Sequence, residues 1–550
     1  MSLLGGYLAT VHEGEVRKRD LIPHLIDKEE QPGYHAYRVM ASYEHWLAAT
    51  PELDLLYLMG LFDRPAAKGA IDALLAPPVI AGLTANLQNL PFAKLQFVLH
   101  RLRDLRLLAE KDKDRPDTLD CHPLVREYFG EKLRQQNPAA WKEAHSRLYQ
   151  YYRGVAKEFP DSIEEMTPLY AAVGHGCQAG HYEEALNDIF RRRILRGRTH
   201  FSRNKLNAFN ADLAALSNFF SQLWDQVVTN LSDSDKYFVL TEPGFYLRVL
   251  GRLNEAELIL LAGLEFSKVQ QNWEYASRAA VNLSELNLTR GKLESAMEYS
   301  KQSIEFADRS EDAFLRMYTR TSLADALHQG GFLSEAEVTF DEAEKLQEAR
   351  EPQTPLLYSG WGSVYCDLLL TQEKYQKVIE RVSQTLKWAE QKLGLRAIAL
   401  DRLSLGRSYL LKVLQEGSGD FTYAATILDQ AVDGLRQAGR QEEIPRGLFA
   451  RAACYRAKNE FAPAWADLEE AREIAERGEM KLFLADYHLE ASRVCLAEGK
   501  MEAGGGRMEA AEKKKREAEE HLRVASEMIE EMGYGRRKPE VEELRKQLAE

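Results

Sequence analysis

Residues 279–307 read AAVNLSELNLTRGKLESAMEYSKQSIEFA, and this stretch decides the fold. On either side of Gly291, apolar or small residues recur at i, i+3, i+4 and i+7, the period of a helix with one buried face. Gly291 supplies a backbone state that other residues resist. Five positions on, Ala296 is small enough for the second helix to lie close against the first. The unit is helix, turn, helix.

The same spacing recurs as Gly180-HYEE-Ala185, Gly251-RLNE-Ala256 and Gly331-FLSE-Ala336. Weaker copies stand at Glu373-KYQK-Val378, Gly419-DFTY-Ala424 and Asn459-EFAP-Ala464, with Gly499-KMEA-Gly504 as a degraded last one. From Gly251 onward the steps are 40, 40, 42, 46, 40 and 40 residues. This pattern resembles the tetratricopeptide repeat, whose usual period is about 34, with helices roughly a turn longer. One hairpin cannot bury its own apolar face, so stacked pairs are expected to form a superhelix with the first helices lining its concave side. That side is the default binding surface.

Composition narrows the function classes. A chain of 550 residues allows three to four domains or one long array. With 45% hydrophobic and 29% charged residues it is neither disordered nor collagen-like. A net charge of -13 argues against whole-chain nucleic-acid binding. The five cysteines, Cys121, Cys177, Cys366, Cys454 and Cys495, form no C-x-x-C pair, which excludes a disulfide framework or zinc ribbon and suits a reducing cytoplasm. The N-terminus lacks the order of a signal peptide and no run of about 18 apolar residues occurs, so a cytoplasmic protein without a membrane span is expected.

Residues 41–136 read differently, with helical patterns broken by Pro51, Pro65, Pro77-Pro78 and Pro91. A helix from Phe97, the charged turn DKDRPDT and a further helix after Leu119 predict a winged-helix domain. Residues 41–140 carry 13 Asp or Glu against 12 Lys or Arg, a balance that disfavours DNA binding. The expected fold is all-α, a TPR-like superhelix of period about 40 preceded by this domain.

These residues carry a family resemblance. MSLLGGYLATVHEGE at residues 1–15, CHPLVREYF at 121–129, then HGCQAGHYEEAL (175–186), NLSELNL (282–288) and LADALHQGG (323–331) together resemble the C-terminal winged-helix and repeat-sensor part of bacterial STAND NTPases, relatives of NB-ARC, NACHT and NOD-like receptors. The resemblance covers the whole chain. It implies that residues 1–40 end an NTPase helical subdomain, 41–136 form the winged helix, 137–225 a helical linker with the first TPR-like unit, and 226–550 the superhelix with a C-terminal capping helix. It also implies an upstream NTPase that binds ATP and ADP. No G-x-x-x-x-G-K-[ST] sequence is present in the chain, so no catalysis and no cofactor are expected here. His122 falls where the family's Met-His-Asp motif places a nucleotide-sensing His, although Cys121 and Pro123 replace its neighbours. The alternative is that His122 and Pro123 simply begin a helix.

Other constellations are weaker. His175, Cys177 and His181 lie within seven residues, but His175 and Cys177 point different ways on a helix, so core packing of Cys177 is expected and no metal. RRRILRGRTHFSRNK, residues 191–205, offers Arg191, Arg192, Arg193, Arg196 and Arg198 as a basic patch for a phosphate or acidic partner, or else as an ion-paired connector. With the repeats in register, Glu285, Asp325 and Asp367 stand six residues before their turns, Arg407 and Arg493 follow in later copies, and Arg278, Asn282, Tyr318, Thr321 and Ser363 lie one to two helical turns earlier. A groove with acidic residues in its middle and basic ones towards the C-terminus would suit a partner of matching charge order. Alternatively, these groups pair with neighbouring arginines. Gly504-Gly505-Gly506 and RMEAAEKKKREAEEHL predict a loop and a long exposed helix.

The reading that follows is a ligand-sensing module of a STAND signalling NTPase, with antiphage defence as one setting. It would bind a protein or peptide trigger on the superhelix and relay binding to the upstream NTPase. The alternatives are the sensor part of a STAND-type transcription regulator and a plain TPR adaptor scaffold.

Overall fold

A computed structural model describes residues 34–392, 394–417 and 419–549. The segment 1–33, on which the subdomain expectation rests, lies outside the described residues. The chain divides at Ser202/Arg203 into two compact units.

The first unit is built from helices around one apolar core. α1 (Tyr34–Trp46), α2 (Pro51–Met59), β1 (Ala66–Ala67), α3 (Lys68–Leu75), α4 (Phe92–Asp104), β2 (Thr118–Leu119) and α5 (Pro123–Gln136) follow one another. The two short strands pair antiparallel, Ala66 with Leu119 and Ala67 with Thr118. Ala109 N donates to Asp120 O at 2.8 Å and closes the charged turn between α4 and β2. Leu55, Leu58, Leu74, Leu83, Leu102, Val125 and Phe129 form the centre of the core. α6 (Pro138–Val155) and α7 (Ile163–Ala179) extend it as an antiparallel pair; Asn137 caps the first on Ala140 N at 3.1 Å and Ser162 the second on Glu165 N at 3.3 Å. Gly180 ends α7 in the left-handed region at φ 89°, as a C-terminal glycine does. Beyond it the short α8 (Tyr182–Glu184) runs into a π-helical stretch, Ala185–Ile194.

The second unit is the repeat array. After α9 (Phe201–Lys205), which spans the division, come α10 (Phe209–Ser217) and a small hairpin of β3 (Phe220–Gln222) and β4 (Gln226–Val227). Consecutive antiparallel helix pairs follow: α11 (Asp233–Val249) with α12 (Leu253–Val269), α13 (Trp273–Thr289) with α14 (Leu293–Ser310), α15 (Ala313–Gln329) with α16 (Leu333–Arg350), and α17 (Ser359–Thr371) with α18 (Tyr375–Lys392). α19 (Leu395–Glu416) with α20 (Thr422–Ala438), α21 (Ile444–Ala457) with α22 (Phe461–Arg477), and α23 (Lys481–Gly504) with α24 (Met508–Met532) complete the array, and α25 (Lys538–Ala549) closes it. The fold is all-α and TPR-like.

The repeat chemistry explains why. Gly251, Gly291 and Gly331 have φ of 76°, 73° and 86°. The small residue five positions later is fully buried in each case, as Ala256, Ala296 and Ala336, and again as Val378 and Ala464. The last turn falls in the expected loop at Gly504-Gly505-Gly506 and not at the degraded copy from Gly499. α23 continues through Gly499, and the chain turns at Gly506, whose φ is 78°, with Ala511 buried five residues on. The charged segment after it is the second helix of the last hairpin rather than an exposed helix: α24 buries Ala518, Leu522, Ala525 and Ile529. α25 caps the stack with Val541, Leu544 and Leu548, as the end of a solenoid requires.

The array returns upon its own beginning. A Cβ placed on Gly251 would lie 3.5 Å from Gly478 Cα, one on Gly291 would meet Met532 Sδ, and one on Gly331 would stand 2.9 Å from the carbonyl carbon of Gly535. Asn254 donates to Glu479 at 3.3 Å, and Leu293 joins Leu482, Leu522, Ile529 and Tyr534 in one apolar cluster. The turns of the first three hairpins therefore seat against the last two hairpins and the cap.

Candidate functional site: the inner face of the repeat array

The first helices of the hairpins place their polar residues towards one another. On α11, Arg248 is 8% exposed and its Nη2 lies 2.7 Å from Glu285 Oε2 on α13. Tyr318 on α15 donates its hydroxyl to the same carboxylate at 2.6 Å. Burial first, and Glu285 second, push the Tyr318 phenol well above its ordinary value. Arg248 also lies 3.8 Å from Glu442, which precedes α21. Beside Glu442, Glu443 binds Arg396 of α19, with Nε at 2.8 Å. Arg440 completes this first cluster; burial and the like charge of Arg396 bring it down to about 10.

A second cluster centres on Asp367 of α17, 5% exposed. Arg407 of α19 donates to its Oδ1, and Arg446 of α21 lies 2.5 Å from its Oδ2. Burial alone would raise this carboxyl, but Arg446 and Arg407 outweigh it and hold it well below the usual carboxylate range. Asp325 on α15 accepts from Gln329 Nε2 at 2.7 Å, and burial pushes its carboxyl up. A third cluster lies at the C-terminal end. Arg537 donates to Asp486 at 2.8 Å and to Glu540 at 2.6 Å, while Arg493 pairs with both Glu540 and Glu490.

The residues read as a stripe are paired within the array. Glu285, Tyr318, Asp325, Asp367 and Arg407 come together on the inner face. Thr321 does not join them: it is 2% exposed and its hydroxyl bonds Met317 O at 3.1 Å within its own helix. Asn282 likewise donates to Arg278 O at 2.8 Å, and Arg278 pairs with Glu274 at 3.0 Å near the surface. The acidic residues of the expected charge order are met by the array's own arginines, Glu285 by Arg248 and Asp367 by Arg407 and Arg446. Sequence reading missed Arg248, Arg396, Glu442, Glu443 and Arg446. Arg446 was reachable, since it sits on a first helix of the same register; Glu442 and Glu443 lie in an interhelix turn where the forty-residue spacing gives no register.

In the first unit, His122 caps α5: its Nδ1 accepts from Leu124 N at 3.2 Å, with the ring exposed and Pro123 as the first helical residue. Arg193 is no surface patch. It is 5% exposed and its guanidinium donates to the carbonyls of Arg153, Ala156, Lys157 and Glu158 at 2.8–3.2 Å, binding the π-helical stretch to the end of α6. Arg192 pairs with Glu158 at 2.8 Å, Arg191 donates to Asn187 at 2.9 Å, and Arg196 stacks 3.6 Å over Phe201 while bonding Pro160 O. Arg198 lies in the turn Gly197–Thr199. Between the two readings of this stretch, an anion site and an ion-paired connector, its contacts are those of an internal clamp at Arg193 with Arg191 and Arg192 beside it. His175 Nδ1 lies 2.8 Å from His145 Nδ1 and Cys177 is buried. Among the described residues no three His, Cys, Asp or Glu side chains are grouped to hold a metal ion.

The chain matches no family model and no curated protein. Among solved structures it is similar to a STAND protein with a tetratricopeptide-repeat sensor, PH0952 from Pyrococcus horikoshii. That likeness has a TM-score of 0.44 at 15% identity and covers 96% of this chain and 71% of the other. It is also similar to a Rap protein solved in complex with Competence and Sporulation Factor, with a TM-score of 0.31 at 13% identity over 76% of this chain and 96% of that one. No helix among the described residues is long and apolar enough to cross a membrane.

Proposed function

We propose that this chain is a protein-sensing module, the repeat array binding a protein or peptide trigger on the polar inner face of its first helices. The single observation that carries this reading is the run of first helices from α11 to α23, each presenting charged or hydroxyl side chains to the interior of a stacked array. Stacked hairpins give an extended surface that no single hairpin offers, and such surfaces recognise chain segments by charge order.

The finer reading is the sensor part of a STAND signalling NTPase, without catalysis or cofactor of its own. It is supported by the motifs at residues 121–129 and 323–331 and by the first unit's order of helix, strand, two helices and a returning strand, which suits a winged helix. A ligand shifts such a module only by its differential affinity for two states.

The test is affinity capture with the full chain as bait, against a chain carrying Asp367→Arg with Arg446→Asp. The swap reverses the polarity of the pair between positions 367 and 446 and sets a guanidinium against Arg407, so folding is checked alongside. Loss of the captured partner with unchanged circular dichroism is expected; equal recovery by both chains overturns the reading.

A further inference from the structure

The inner face already holds a peptide segment, and that segment is the chain's own. Between α24 and α25 the turn at residues 533–537, GYGRR, leaves the last hairpin at Gly533, whose φ is 67°. It runs against the turn between α15 and α16. The approach is backbone to backbone: a Cβ on Gly535 would collide with Gly330 O, and one on Gly331 would stand 2.9 Å from the Gly535 carbonyl carbon. Glycine at both positions is what allows the contact.

On either side of Gly535 the side chains behave as a ligand's do. Tyr534 is 2% exposed and donates to Asp486 Oδ1 at 3.2 Å. Arg537 binds Asp486 and Glu540. Arg536 faces the second cluster, where its charge acts on Asp325, Asp367, His328 and Arg407. The seat is incomplete. Among the described residues nothing accepts a hydrogen bond from the buried Arg536 Nε, and Asp325 stays a desolvated acid with Gln329 beside it. A buried donor short of a partner, beside an acid whose one acceptor bond comes from the neutral Gln329, is what a better-fitting ligand would satisfy.

We propose that the turn Tyr534–Arg537 is an internal ligand of the inner face, seated where an external protein segment with adjacent arginines after a glycine turn binds by displacing it. The proposal rests on the inner face being the binding surface. It names the partner's chemistry, an arginine pair for Asp325, Asp367 and Asp486, and it makes the free chain self-occupied.

The probe is a fluorescent peptide of residues 530–541, EEMGYGRRKPEV, titrated by anisotropy into the full chain and into two variants. Arg537→Ala weakens the internal seat by charge, and Gly535→Ala weakens it by steric conflict with Gly330. Both are checked for retained helicity. The peptide is expected to bind each variant at least tenfold more tightly than the natural chain, and to lose that gain when Asp325→Asn and Asp486→Asn are added. Equal affinity for all forms, or binding to none, overturns the internal ligand while leaving capture by the inner face untouched. Unchanged capture by the Asp367→Arg, Arg446→Asp chain overturns the binding surface itself, whatever the peptide does.

Discussion

Asp367 and Arg446, separated by 79 positions in the chain, meet at 2.5 Å inside the repeat array, with Arg407 on the opposite carboxylate oxygen. Removing one member of a buried ion pair leaves the others desolvated and uncompensated, at about 3–5 kcal/mol. Asp367→Ala is therefore expected to lower the unfolding free energy by that much, read as a fall in the urea midpoint with the slope unchanged. The acid side follows from the same carboxylate. Its folded value lies well below the ordinary 3.8, so its stabilisation is complete above that value and is lost as pH falls below about 4. The natural chain should lose stability more steeply than Asp367→Ala on acidification from pH 4.5 to 3.

Two turn glycines with nearly equal backbone angles should respond differently. Gly180 has φ 89° and nothing within 4 Å of a Cβ added there, whereas Gly331 at φ 86° abuts Gly535. Gly180→Ala should cost only the left-handed backbone penalty, about 1–2 kcal/mol. Gly331→Ala must also displace the turn at Gly535 and should cost at least twice as much. Comparable losses in thermal unfolding would show that the contact between the two turns contributes nothing.

The contrast bears on what the sequence makes legible. Helix, turn and small residue form a local pattern, so Gly251, Gly291 and Gly331 and their partner alanines can be read without knowledge of the fold. The loop at Gly504-Gly505-Gly506 is legible, whereas Gly499 and Gly504 imitate the repeat's turn spacing within a helix that packing keeps continuous. Glu285, Asp325 and Asp367 were legible as a stripe. What satisfies Asp367 was not, since Arg446 lies 79 positions away and meets it only once the array turns back on itself. Arg193 was misread because a run of arginines looks solvated until one of them is found bonded to four carbonyls.

That clamp gives a sharp test. Arg193→Ala removes every donor to the carbonyls at the end of α6 that the guanidinium serves, and a buried hydrogen-bonded charge of this kind contributes about 3 kcal/mol. Arg192→Ala removes one exposed pair and should change stability by less than about 1 kcal/mol. Weak binding to heparin, if measured, should follow Arg192 and not Arg193.

The histidine pair of the first unit sets a different pH limit. Burial lowers both rings, with Asp63 pulling His175 back up and Arg64 pushing it down; His175 reaches about 4 and its charge lowers His145 further. Trp141, Tyr152 and Phe62 enclose them. A base held neutral in the folded state stabilises above its unfolded value of 6.5 and loses that stabilisation as pH falls from 6.5 to about 4. The shift corresponds to about 3 kcal/mol. Melting at pH 7.5 and 5.0 should show a drop that His145→Gln with His175→Gln largely removes.

Asp401 on α19 has the opposite dependence. It is 3% exposed, its Oδ2 has no hydrogen-bond partner among the described residues, and burial raises it to about 7 against the smaller effects of Thr385 and Arg381. A carboxyl whose folded value exceeds its unfolded 3.8 binds its proton more tightly when folded, so its contribution is fully present below 3.8 and is lost as pH rises towards 7. By pH 8 the folded chain holds a desolvated carboxylate at a cost of about 4 kcal/mol relative to acid conditions. Asp401→Asn keeps the shape and removes the charge. It should stabilise the chain at pH 8 by about 2–4 kcal/mol and by only about 1–2 kcal/mol at pH 5, as read from urea midpoints at the two pH values. Equal effects at both would mean that the carboxyl is ionised throughout and compensated by the array.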